Sequence, residues 1–340
     1  MLDTVLAWIT RSFVFGAIIM YGALGETLTE KSGNMNLGTP GIMCIGGAFG
    51  FGMTYLYEIN VTAGGGTPNS LLSILIALVS GFTAAALAGL LFGFLTTTLR
   101  ANQNVAGLAL TIFGGGLAKS FGMYIIPKGI TTVKAVHANM LFSKVIPVDF
   151  GNSNIANIVE KVIFGYGFMF YLSIIIAVIL AIFLSRTKCG LRLRAVGENP
   201  ATADAAGINV TKYKYFATAI GAGIAGLGGV YYILDYNYGG WSTAAAAGIQ
   251  SLGWLAVALV IFAVWKPVNL IWGSILFGLC FWLYNYIGVF GVKMTSAQSS
   301  LLEAIPYLIT IIVLIVSSIR KNRENQPPQS LGQSYFREER

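Results

Sequence analysis

Residues with the means to do chemistry are few in this chain, and most are in the wrong setting. Gly221, Gly223 and Gly226 spell GxGxxG within GAGIAGLGG. That pattern holds a pyrophosphate only after a strand and at a helix start, where backbone N–H groups face the phosphates. Here it is embedded in an apolar run, where small residues let membrane helices approach closely, so packing is the expected role. Lys119-Ser120 follows GGGLA like the end of a phosphate-binding loop, but Ala118 replaces the required glycine and the pair lies in another apolar run. Cys44, Cys189 and Cys280 are far apart and form no CxxC, so neither a metal site nor a disulfide framework is indicated. His137, the single histidine, falls in a polar loop and reads as a surface residue. No carboxylate pair, His cluster or Ser/His/Asp set can be assembled. The chain is not expected to be an enzyme, to hold a metal or cofactor, or to hydrolyse ATP itself.

The elements that carry these residues are membrane spans. Of the 340 residues, 56% are hydrophobic and 10% charged, whereas a soluble domain has about 25% charged residues. The net charge of +8 follows topology and gives no sign of nucleic-acid binding. Apolar runs of about 20 residues mark spans. They cover Leu6–Leu24, Leu37–Tyr57, Leu71–Leu95, Val105–Ile126, Val162–Leu184, Phe216–Leu234, Ala244–Val264, Val268–Phe290 and Leu302–Ile319. The expected fold is all-α: a polytopic membrane protein of about nine transmembrane helices. Residues 1–320 form the membrane domain, with an outer loop at 127–161 and a cytoplasmic loop at 185–215. The remainder, 321–340, is charged and Gln/Pro-rich and reads as a disordered tail.

Most of the 21 basic residues fall on one side of this arrangement. By the positive-inside rule the N-terminus is outside and the tail cytoplasmic. The first span lacks a basic n-region and a small-residue cleavage site, so it reads as retained. Glu26, Glu303 and Lys119 lie near span ends and read as snorkelling side chains. Tyr231, Tyr232, Tyr236, Tyr238 and Trp241 form a candidate aromatic belt at an outer boundary.

Transport is the function class that remains. The 42 glycines punctuate the spans. Gly38 and Gly41 open a Gly-rich run with Pro40 near its start, which predicts a broken or closely packed helix. Interrupted helices expose backbone groups that membranes tolerate only inside protein or along a water path. Asn34 and Asn36 precede that run, Asn104 opens the fourth span, and Gln250 and Ser251 lie inside the seventh. Such amides either line a polar route or bond helix to helix. Within the basic loop, Asn199 is a good N-cap and Pro200 suits the first helical position. Helix formers follow to Ala206, including Ala203 and Asp204, and Gly207 can take the left-handed C-terminal conformation. A short, capped helix held outside the membrane is a handle for a partner.

GETLTEKSGNMNLGTPGIMCIGGAFGF, together with LRLRAVGENPATADAAGINVTKYK, resembles the permease subunits of ABC importers of the branched-chain amino acid and simple-sugar group. SLGWLAVALVIFAVWKP and AIPYLITIIVLI match in order, so the likeness covers Leu6 to Ile319. Within the group it is most similar to the shorter permease of nucleoside-type importers that depend on a basic membrane protein lipoprotein. The resemblance implies a bacterial cytoplasmic membrane and half of a translocation path. It also implies a second, similar but non-identical permease, a cytoplasmic ATPase that binds the ATP, an extracytoplasmic binding lipoprotein and a small-molecule solute. It makes the helix at Asn199, Pro200, Ala203, Asp204 and Gly207 the ATPase-coupling helix, with flanking basic residues on lipid headgroups. The long outer loop is the expected dock for the binding protein. The inner turn, VWKPVN, is poorer in Gly and Ser than the family's. Nucleosides head the solute classes, with riboflavin, simple sugars and branched-chain amino acids as alternatives. An ion-coupled secondary transporter would need mid-span carboxylates, which are missing.

Overall fold

The computed structural model describes residues 2–127, 129–142, 158–242, 244–287, 295, 298, 301–302, 304–320 and 326–336. Four long helices come first: α1 (Leu2–Glu30), α2 (Thr39–Ala63), α3 (Ser70–Gly93, continued by a π-turn over Phe94–Thr98) and α4 (Gln103–Ile125). A strand, β1 (Thr132–Lys134), and a short helix, α5 (Val136–Phe142), follow. Next come α6 (Phe168–Arg186), α7 (Lys188–Glu198), α8 (Pro200–Ala205) and α9 (Val210–Tyr231, continued by a π-turn over Tyr232–Tyr236). After β2 (Gly240–Ser242) the chain forms α10 (Ala245–Phe262), α11 (Pro267–Ile287) and α12 (Ile305–Arg320).

Seven helices among the described residues are long and apolar enough to cross a membrane, from Asp3–Glu30 to Ala245–Phe262. Two shorter apolar helices, Pro267–Leu283 and Ile305–Ile315, stand where the last two spans were expected. The all-α polytopic fold is therefore observed, with seven long apolar helices among the described residues and two shorter ones at the positions of the last two expected spans. At one end, β1 and β2 pair antiparallel with Val133 opposite Trp241. Glu58 of α2 accepts there from the N–H groups of His137 (3.1 Å) and Ala138 (2.8 Å). Lys161 reaches Asp3 at 3.3 Å, an exposed pair of little energetic weight. At the opposite end, labelled inner after the side on which the basic loop is expected, lie the α1–α2 turn, the α3–α4 turn, α7, α8 and the tail.

The core is made of α1, α2, α3 and α9, packed almost backbone to backbone. A Cβ on Gly46 would collide with the Cα of Gly226, and one on Gly221 with the carbonyl oxygen of Gly25. The GxGxxG run is thus a packing surface, as its surroundings suggested. Of the two alternatives expected for the Gly-rich helix, a break is not found and close packing is: α2 is helical throughout Thr39–Ala63. Its glycines serve contact instead. Gly41 meets α4 at the Leu110 carbonyl, and α2 starts cleanly because Pro40 sits in its first turn, where no N–H is required. The interruption comes earlier, over Lys31–Gly38.

Other expectations are corrected as well. Tyr231 and Trp241 are buried inside the protein, so they are no headgroup belt; of that group Tyr238 is exposed. Residues 326–336 of the expected disordered tail pack against the inner end, where Ser330 is buried and its Oγ donates to the Gly197 carbonyl at 2.6 Å. Residues 143–157 of the expected outer loop lie outside the described residues.

Gly46→Val forces atoms into the α2–α9 contact and is expected to cost about 1–3 kcal/mol. Gly116→Ala enters open space and should be neutral. Thermal unfolding in detergent checks both, with a lowered Tm expected for the first alone.

Candidate functional site

The inner end holds the residues that the sequence marked as a handle. Thr187 caps α7, accepting from the Gly190 N–H at 3.0 Å. The helix carries Arg192 and Arg194 on exposed positions while Leu193 and Val196 face inward. Asn199 then caps α8: its side chain accepts from the Thr202 N–H at 3.0 Å. Pro200 occupies the first helical position. At the far end Gly207 is left-handed, φ +78°. Its N–H donates to the Asp204 carbonyl (2.9 Å), and that of Ile208 to the Ala203 carbonyl (3.0 Å). This is a Schellman closure, which satisfies carbonyls that a two-turn helix would leave open. Ala203 is buried with Val196 and Val210 in a small apolar cluster of its own. The tail also grips the helix, since Tyr335 donates its hydroxyl hydrogen to Asp204 Oδ2 at 2.9 Å.

A second cluster was not anticipated. Glu26 and Glu30, one turn apart on α1, are 1% and 4% exposed. They do not snorkel. Glu26 Oε1 accepts from the Asn36 N–H at 3.2 Å, and Oε2 accepts from the Thr39 hydroxyl. Glu26 therefore bonds the turn to the α2 start, near the positive end of that helix. Glu30 accepts from the indole N–H of Trp265. Trp265 and Val264 are both left-handed (φ +54° and +55°) in the α10–α11 turn, an uncommon conformation for such residues. The VWKPVN departure from the family pattern is thus a strained turn pinned to α1. Beside it, burial and then the nearby Arg194 push the Lys31 ammonium down to about 8. The spacing ETLTE was the available signal, because carboxylates at i and i+4 share a helix face.

The residues expected along a transport path separate into two groups. Asn34 and Asn36 are buried in the α1–α2 turn. The Asn36 side chain accepts from the Gly38 N–H at 3.0 Å, and Asn34 Nδ2 donates to Thr97 at 3.4 Å. Gly38 and Gly41 lie against Leu110 of α4. Asn104, Gln250 and Ser251 are placed differently. Asn104 and Ser251 are exposed, and Gln250 is half-buried against Gly115 of α4. Ser251 Oγ donates to the Gly248 carbonyl at 2.8 Å. Among the described residues, no group of three or more His, Cys, Asp or Glu is placed to hold a metal ion.

Comparison with known proteins shows the family of the chain. The family described as branched-chain amino acid transport system, permease component, matches residues 8–316. The putative glucose ABC transporter permease TsgC13 of Haloferax volcanii is 30% identical over 94% of each chain. The nucleoside ABC transporter permease NupC of Lactococcus lactis is 28% identical over 90% of each chain. The guanosine ABC transporter permease NupQ of Bacillus subtilis is 29% identical over 90% of each. No solved structure matches. The chain belongs to the permease-component family of branched-chain amino acid transport systems: it is a membrane-spanning permease subunit of an ABC importer, not an enzyme.

Proposed function

We propose that this permease carries a nucleoside or a related sugar-bearing solute, driven by ATP that a separate cytoplasmic ATPase binds and hydrolyses. The observation that carries the reading is α8: a short helix closed at both ends, presented at the inner face and braced by its own apolar cluster. A capped helix moves as a unit, so displacement by a closing ATPase shifts the helices behind it. ATP energy then biases one packing state over the other. Asn199, Pro200, Ala203, Asp204 and Gly207 set its geometry. The solute class rests on the nucleoside and guanosine permeases among the relatives.

Nine spans, with α11 and α12 as the last two, place the N-terminus outside and the tail in the cytoplasm of a bacterial cell. The positive-inside bias supports that direction. Asn104 of α4 and Gln250 and Ser251 of α10 line half of the solute path, completed by a second, similar permease. Asn34, Asn36, Gly38 and Gly41 shape its inner end by fixing the α1–α2 turn. An extracytoplasmic binding lipoprotein delivers the solute at the outer end, where β1, β2 and α5 form the cover.

Gly207→Val places a branched side chain in a left-handed conformation, at a cost of about 1–2 kcal/mol, and opens the Schellman closure. Membrane insertion should be unchanged and ATP-dependent uptake reduced; normal uptake would remove α8 from its role. Gln250→Leu removes a neutral hydrogen bond and should raise KM about three- to tenfold without changing expression. Vesicles holding the permease with its ATPase and binding protein should accumulate labelled guanosine only with ATP. Uptake of ribose, riboflavin or leucine instead would move the solute class. Uptake that follows an ion gradient without an ATPase would overturn the reading.

A further inference from the structure

The inner face contains a cavity of about 670 Å³ between the end of α3, the start of α9 and the tail. Lys214, Lys212, Arg100, Thr97 and Asp204 are among its lining residues. Lys214 sets it apart. It is one turn into α9 and only 3% exposed. Among the described residues, no hydrogen bond or ion pair reaches its ammonium; the contact at Lys214 is the one its carbonyl accepts from Thr218. The side chain is almost wholly covered and its ammonium is left to the cavity, where an anion would offset the lost hydration.

The surroundings supply what an anion needs. Lys212 adds a second positive charge, and the Arg100 guanidinium is held at the wall by stacking over the Phe336 ring at 4.7 Å. Asn209 caps α9 through the Lys212 N–H at 2.9 Å. The Val210 and Thr211 N–H groups, at the positive end of this 22-residue helix, are ones an α-helix leaves without internal acceptors. Asp204 is the acidic member of the wall. Its carboxylate is engaged by the Tyr335 hydroxyl. The wall is therefore cationic where α9 begins.

We infer that this cavity binds a phosphate ester, with the phosphate on Lys214 and Lys212 at the start of α9. That chemistry has two sources, a soluble nucleoside monophosphate and the glycerol-phosphate headgroup of an anionic lipid. The site stands whether or not α8 docks an ATPase, because binding is measured on the permease alone.

The test uses the full chain purified in detergent. GMP is titrated calorimetrically, with guanosine as the neutral control, and native mass spectrometry records phosphatidylglycerol retained after purification. Lys214→Met keeps the chain's bulk and removes the charge; Thr97→Val is a milder second variant. In the soluble case GMP binds saturably, guanosine does not, and Lys214→Met weakens binding at least about tenfold at unchanged Tm. In the lipid case GMP fails, but phosphatidylglycerol stays with the native chain and leaves the Lys214→Met variant. Either result supports the site and identifies its source. If neither ligand is held, or if both variants hold it as the native chain does, the inference is wrong.

Discussion

Backbone contact among α1, α2, α3 and α9 is the constraint on which this structure depends. In a bilayer, lipid tails are as apolar as leucine, so burial alone gives helices little reason to associate. Close approach supplies dispersion and short polar contacts instead, and it demands residues without side chains at the crossing points. Gly25, Gly46, Gly221 and Gly226 meet that demand in pairs on facing helices. The pairing also sets register, because a shift of one residue would bring a side chain into each gap. Everything at the inner end, including the turn that Glu26 closes and the segment from α7 to α9, is hung from helices placed this way.

The inner end shows how polar groups behave once the core fixes their positions. Glu26 has a purpose as the acceptor that ends the α1–α2 turn and begins α2. Glu30 reaches a different helix pair, holding the indole of a turn whose two left-handed residues are unfavourable by themselves. One turn of α1 thus secures two separate inner connections. Strain of this kind persists where the surroundings over-determine it, and it is commonly found where a structure has to switch.

Much of this was legible in the sequence. Runs of about 20 apolar residues located the spans, and Asn199, Pro200 and Gly207 announced α8 with both of its ends, because capping is a local matter of residue type. The glycines of α2 were read correctly as a special feature, but a break and a close contact leave the same mark in one chain. Choosing between them needs the facing residue, such as Gly226 or Leu110, far away in sequence. The burial of Glu26 was hidden for the same reason: its donors come from across a turn. Tyr335 gave no sign either. A charged, Gln/Pro-rich tail has the composition of disorder, and only the contacts with Asp204, Gly197 and Gly33 reveal its place.

That tail has a consequence for how the protein is made. Chains emerge from the ribosome N-terminus first, and early parts fold before later ones exist. The α1–α2 turn, the α3–α4 turn and α8 are all in place long before Ser330, Gln333 and Tyr335 are synthesised. Ser330 then bonds to Gly197 of α7, Gly332 to Gly33 of the α1–α2 turn, Gln333 to Gln103 at the start of α4, and Tyr335 to Asp204 of α8. The clasp across that end is consequently added after every long helix has been made, and a chain cut short before Ser330 would carry those helices without it.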